Sequence, residues 1–163
     1  MDTPGTPPDD HFFSESKFSA LEDKAFAPHG QIDCWREDHM LHFRATGPFN
    51  RELFDDFARA QRELFLLDAP KQPWGSVVTV THSALATLDG LACLEEHLRA
   101  RKPKRMVARA VAYVMGPKVE GRVIMTPVFR RIYQGMDQPF EVFDDARVAR
   151  GWVQGVLDAQ GRG

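Results

Sequence analysis

The stretch RARKPKR, residues 99–105, places five cations within seven positions: Arg99, Arg101, Lys102, Lys104 and Arg105. Such a run can hold an anion, either the phosphates of a nucleic acid or a lipid head group. Two ordinary roles compete with that reading. Cations at a helix C-terminus offset the helix dipole, and a proline-interrupted loop needs solvated residues in any case. No aromatic residue interleaves the run, so base stacking is not indicated. His82 beside Ser83 suggests a base and a nucleophile. Neighbouring residues of an extended chain point to opposite sides, however, and no third residue announces itself as the orienting acid. His39 and His42 in HMLH stand three apart, which on a strand separates them as metal ligands and makes them two surface histidines at a turn. His11, His29 and His97 show no ligand partners in the sequence. Asp144 and Asp145 precede a helix, where a cap and a first-turn charge explain both. Neither Cys34 nor Cys93 belongs to a CxxC or to a metal-binding spacing. No glycine-rich nucleotide loop occurs. The expectation is a protein without a catalytic set, a metal or a cofactor.

The elements that must position these residues fit one domain, since 163 residues suffice for a single core. A hydrophobic content of 43% against 27% charged residues is that of an ordinary globular chain. With a formal net charge of -2, no global field favours nucleic acid or an anionic membrane, and no nucleic-acid partner is expected. No apolar run approaches the roughly 18 residues of a membrane span. The start MDTPGTPPDD is acidic and proline-rich, unlike a secretory signal, and lone cysteines suit a reducing compartment, so a cytoplasmic location is expected.

Residues 1–29 carry prolines, serines and acids with scattered Phe12, Phe13, Phe18 and Phe26, and read as an irregular tail. From Gly30 onward the pattern is regular. QIDCWRED and HMLHFRATG alternate with period two and form a hairpin. Asn50 caps a helix whose Leu53, Phe54, Phe57, Ala60, Gln61, Leu64 and Phe65 recur at helical spacing, with Arg51, Asp55, Asp56, Arg59 and Arg62 on the other side. WGSVVTVT is a buried strand. A second helix follows, with Leu88, Leu91, Ala92, Glu95 and Leu98 on its apolar stripe. KPKRMVARAVAYVMG reads as a strand with faces of unequal size. GPKVEGRVIMTPVFRRIYQG reads as helix that Pro127 kinks or restarts, with Thr126 as cap. PFEVF is a last strand, Asp144 a cap, and Ala149, Trp152, Val153, Val156 and Leu157 the stripe of a final helix. Residues 30–158 thus make one α/β domain, a mixed β-sheet with an opening hairpin and crossover helices, and 159–163 a short C-terminal tail.

The ending PFEVFDDARVARGWV, preceded by PVFRRIYQG, resembles the C-terminal part of SpoIIAA-like domains of the STAS group. VVTVTHSALATLDGLACLEEHL resembles their strand, loop and helix, with GLACLEEHL as the helix start. The resemblance spans roughly residues 30–158 and implies a SpoIIAA-like fold. It also implies relatives among anti-sigma factor antagonists and small bacterial proteins without a defined activity. The architecture is similar to SEC14-type lipid-binding domains.

Phosphoswitch members of that group carry an Asp-Ser-Ser-Gly motif before the helix. Aligned on Gly90, this sequence has Thr87 at the aspartate, Leu88 at the phosphoacceptor serine and Asp89 at the second serine. The acceptor hydroxyl is missing, so the switch does not carry over. The first functional expectation is a non-enzymatic regulatory or interaction module. Its contact surface would be the loop with Thr81, Ser83, Thr87, Asp89 and Gly90, and its partner another protein or, in a homodimer, a second copy. The alternative, suggested by 12 Phe and 6 Met and by the SEC14-like architecture, is a protein that binds an apolar small molecule or lipid.

Overall fold

Residues 31–46 fold into the expected hairpin, β1 (Gln31–Glu37) pairing antiparallel with β2 (Met40–Thr46) about Asp38 and His39. The computed structural model describes residues 30–162, so the segment read as an irregular tail, 1–29, lies outside the described residues. After the hairpin every pairing is parallel, through β3 (Gly75–Thr81), β4 (Val111–Met115) and β5 (Phe140–Phe143). The sheet order is the chain order, β1-β2-β3-β4-β5. Each parallel step needs a crossover, and these are α1 (Arg51–Leu67), α2 (Leu88–Arg99) and α3 (Arg122–Gln134). All three steps advance in the same direction, so right-handed crossovers put all three helices on one face. The other face is left for α4 (Ala146–Gly161).

Side-chain parity follows. Phe43, Ala45, Val80, Val111 and Tyr113 face α1–α3, in cores that include Phe54, Leu94 and Phe129. Val77, Ala112 and Val114 face Ala149, Val153 and Leu157 of α4. The unequal faces of β4 are therefore real, with alanine under α4 and Tyr113 on the broader side. Gly75 lets α4 ride directly on β3, because a Cβ there would stand 2.2 Å from Val153 Cγ1. Asn50 caps α1 as read, accepting from Leu53 N at 3.1 Å.

Several local readings are corrected. β4 begins at Val111, and one tight helical turn, Lys104–Met106, replaces its predicted first half. The ladder runs out because β3 starts at Gly75 and its partner register begins at Ser76↔Val111. The preceding segment is held instead by Trp74 Nε1 donating to Arg105 O (2.9 Å) and Gln138 Nε2 donating to Ala108 O (2.7 Å). α3 runs unbroken through Pro127, and Thr126 is no cap, since its hydroxyl donates back to Arg122 O at 2.7 Å. Pro127 removes the donor for Val123 O, which is tolerated because that turn is exposed to water. On α2 the buried positions are Gly90, Cys93 and Leu94, while Leu88 and Ala92 are exposed. Gly90 suits this phase: a Cβ there would lie 3.2 Å from the Asn50 carbonyl carbon, so a side chain would press on the start of α1. Asp145, not Asp144, caps α4, accepting from Arg147 N and Val148 N, and Asp144 pairs with Arg122. That helix continues to Gly161, through most of the stretch read as a tail. Asp56, placed by its spacing on the solvated side of α1, is buried.

His39 is exposed as read, but His42 is buried. Its ring stacks on Trp35 at 5.3 Å, and Nε2 lies 3.3 Å from Glu37 Oε2, which also receives Arg150 at 2.8 Å. Burial pushes the His42 pKa down; Glu37 opposes the shift and Arg150 adds to it. The unfolded chain therefore takes up this proton more readily than the folded one. The stability His42 contributes is full above the unfolded value of about 6.5 and is lost as pH falls through the folded pKa. Thermal unfolding from about pH 7.5 to about pH 5 should show a falling midpoint whose slope is shallower in His42→Gln. Equal slopes in the two proteins would remove His42 as a cause.

Candidate ligand-binding cavity

Protein interiors are close-packed, with few voids larger than a water molecule. Between the sheet and the helices on its broader face, this one keeps a cavity of about 650 Å³. That lies within the roughly 300–1,000 Å³ of small-molecule sites. Strand residues Ile32, Phe43, Val78 and Val111 line it, with Phe54, Phe57 and Phe65 from α1 and Leu94 and Leu98 from α2. Room is left where the sequence places alanines at the lining, Ala45, Ala58, Ala69, Ala100 and Ala108. Tyr113, Phe129 and Tyr133 are among its buried lining residues, the two tyrosine hydroxyls sharing a hydrogen bond of 3.0 Å. Burial raises both phenol pKa values, Tyr133 to about 12, so this polar pair is neutral.

The exposed lining residues mark the mouth. They include apolar Leu66 and Val107 and four cations, Arg62, Arg101, Lys102 and Arg105. Among the described residues, no aspartate or glutamate lines the cavity. Desolvation, followed by the charge of Arg62, pushes the Lys102 ammonium pKa down, and its Nζ donates to His97 O at 2.6 Å. The structure thus gives three members of the basic run a shared location. Arg99, beside Glu95 at 3.5 Å, and Lys104 stand outside the lining, while Arg62 joins from α1, where spacing alone made it a solvated surface charge.

The loop residues read as a contact surface divide differently. Thr81 is exposed and its hydroxyl meets that of Thr46 at 3.0 Å. Thr87 caps α2 by accepting from Gly90 N at 3.1 Å, and Asp89 is exposed in the first turn. Ser83 is fully buried, its Oγ accepting from Leu85 N at 3.2 Å, and Gly90 is buried against α1, so neither belongs to a surface. His82 has a left-handed backbone, φ 67, and is exposed on its own while Ser83 points inward.

The fold also assembles a cluster that sequence reasoning missed. Cys93 Sγ lies 3.2 Å from Asp55 Oδ1, and His97 Nε2 lies 3.1 Å from the same oxygen. Burial, then the bond to Asp55, pushes the Cys93 thiol up to about 12, which keeps it protonated and removes it as a nucleophile. Burial alone would raise the Asp55 pKa, but the Cys93 and His97 bonds and Arg51 outweigh it and hold the carboxyl below its ordinary value. The i, i+4 spacing of Cys93 and His97 was the available signal; Asp55, 38 residues before Cys93, comes only with the packing of α1 on α2. Cys34 is likewise a poor nucleophile, its thiol pushed to about 12 by burial.

No helix among the described residues is long and apolar enough to cross a membrane. No protein-family model matches the chain, and no curated protein matches it. A solved structure does: an uncharacterized protein of the DUF3478 family with a SpoIIAA-like fold from Shewanella loihica PV-4. The two share 17% sequence identity over 80% of this chain and 98% of that one, with a TM-score of 0.51. Together with the mixed five-stranded sheet and the four α-helices among the described residues, this likeness shows that the chain carries a SpoIIAA-like α/β domain.

Proposed function

We propose that this protein is a non-catalytic binding protein for an elongated apolar molecule with an anionic head group, of the fatty-acid type. The cavity carries the reading: about 650 Å³ lined mostly by aromatic and aliphatic side chains, with four cations and no carboxylate among the described residues of its lining. Each methylene buried there contributes roughly 0.8 kcal/mol, so an acyl chain gains affinity along its whole length. The head group then sits at Arg62, Arg101, Lys102 and Arg105. An interaction module built on residues 81–90 is the weaker reading, because Ser83 and Gly90 are interior and Thr87 is engaged as a helix cap.

Titration with palmitate should give saturable one-to-one binding. Ala58→Trp, which places an indole on the α1 side of the cavity, should weaken it by about 15-fold, the equivalent of some two displaced methylenes. Absence of saturable binding by both palmitate and the neutral hexadecanol would refute the apolar-ligand reading. Equal affinity for the two would refute the anionic head group while leaving the cavity.

A further inference from the structure

We propose that Asp55, Cys93 and His97 form a three-ligand site for a borderline-soft divalent cation, with zinc as the best fit. Cys93 and His97, four apart on α2, share one helix face, and α1 brings Asp55 against it. The three ligand atoms all lie within 4.8 Å of one another. Tetrahedral zinc, with thiolate at about 2.3 Å and nitrogen or oxygen at about 2.0–2.2 Å, has ligand–ligand edges of about 3.4–3.6 Å. The 3.2 Å and 3.1 Å separations from Asp55 Oδ1 need to open by only a few tenths of an ångström. A thiolate with an imidazole selects zinc over the oxygen-preferring magnesium and calcium.

Arg51 is the apparent objection, since its Nε stands 3.9 Å from Asp55 Oδ2. It approaches the oxygen that the site does not need, and its own charge is met by Glu96 at 2.8 Å. With Cys93 as thiolate, three anions, Asp55, Cys93 and Glu96, surround one cation, Arg51, and the net charge of two negatives matches a divalent metal. Entry of the metal releases one proton, from the Cys93 thiol to solvent. His97 binds as the neutral imidazole through Nε2, its proton on Nδ1, and Asp55 through Oδ1. The side chains of Asp55 and His97 are 37% and 27% exposed, so a hydrated ion reaches them first and Cys93 completes the set from behind. The fourth position remains for water or another ligand. His97 also lines the cavity, so the site stands in its wall; the proposal does not depend on what the cavity binds.

The test uses the full chain with Co²⁺ and Zn²⁺. One equivalent of Co²⁺ should produce a thiolate-to-cobalt charge-transfer absorption that Zn²⁺ displaces. Cys93→Ser should abolish the band and Cys34→Ser should leave it. His97→Gln and Asp55→Asn should each weaken Zn²⁺ binding by more than the roughly 10- to 100-fold typical of losing an outer-shell partner. No band at stoichiometric cobalt, or a band that survives Cys93→Ser, overturns the proposal. If Cys93→Ser does not fold, the two partly exposed positions decide: unchanged zinc affinity in both His97→Gln and Asp55→Asn overturns it equally.

Discussion

Phe129→Ala should lower the stability of the domain by about 3–5 kcal/mol, a shift in thermal midpoint of roughly 6–20 °C for a chain of this size. Phe129 is 1% exposed, sits mid-way along α3, and packs its ring 5.1 Å from Tyr113 of β4. It links α3 to the centre of the sheet. The cost of such a truncation is the lost transfer free energy plus a term for the hole left behind. Here Phe129 already lines the cavity, so fewer neighbours lose a contact than at a fully packed site, and the lower end of the range is expected. Urea denaturation should show the midpoint falling at unchanged slope. A loss under about 1 kcal/mol would mean that α3 is anchored by other contacts.

Why so much of this architecture was legible follows from the strength of its local signals. β2 was legible because Leu41, Phe43 and Ala45 share the face toward α1 while His42 and Arg44 take the opposite face, and α1 shows helical spacing because Leu53, Phe54, Leu64 and Phe65 share a face. Both patterns are imposed by neighbours along the chain. The misreadings lie where a distant element decides. β4 starts late because β3 offers no partner before Ser76, and the α2 stripe is rotated because Gly90 must meet the start of α1. His42 is buried by Trp35 across the hairpin, which alternation alone places on the outer face.

The site was legible only in fragments, for the same reason. The basic run stood out as composition, but its relation to an apolar cavity depends on the turn Lys104–Met106 being pinned by Trp74 and Gln138. Arg62 joins it across α1, 39 positions before Arg101, with no signal in either segment. Abundant phenylalanine is more often core than ligand site. What separates the two is whether the side chains fill the space, and that is a property of packing. Asp55, Cys93 and His97 illustrate the limit further: two ligands share a helix face, and the third arrives with the fold.

Reversing three charges at the mouth, Arg62→Glu, Arg101→Glu and Arg105→Glu together, should weaken palmitate binding by roughly 30- to 100-fold. A pair of unit charges at about 4 Å interacts by roughly 1 kcal/mol in water, and salt at physiological strength screens within about 8 Å. Exposed side chains also give up part of any gain to conformational entropy. Taken together, three reversals leave a net change of about 2–2.7 kcal/mol, which sets the stated range. The same substitutions touch little of the apolar lining, so hexadecanol should change by less than about threefold, and thermal unfolding should move little because all three residues are exposed. The contrast between the two ligands is the decisive readout, since it isolates the head group from the chain. A parallel loss for acid and alcohol would instead trace the effect to the Lys104–Met106 turn, whose backbone Trp74 holds at Arg105. Retained palmitate affinity would move the head group away from these three arginines and toward Lys102, His97, Gln61, Gln138, Ser76 or the tyrosine pair, polar groups that also line the cavity.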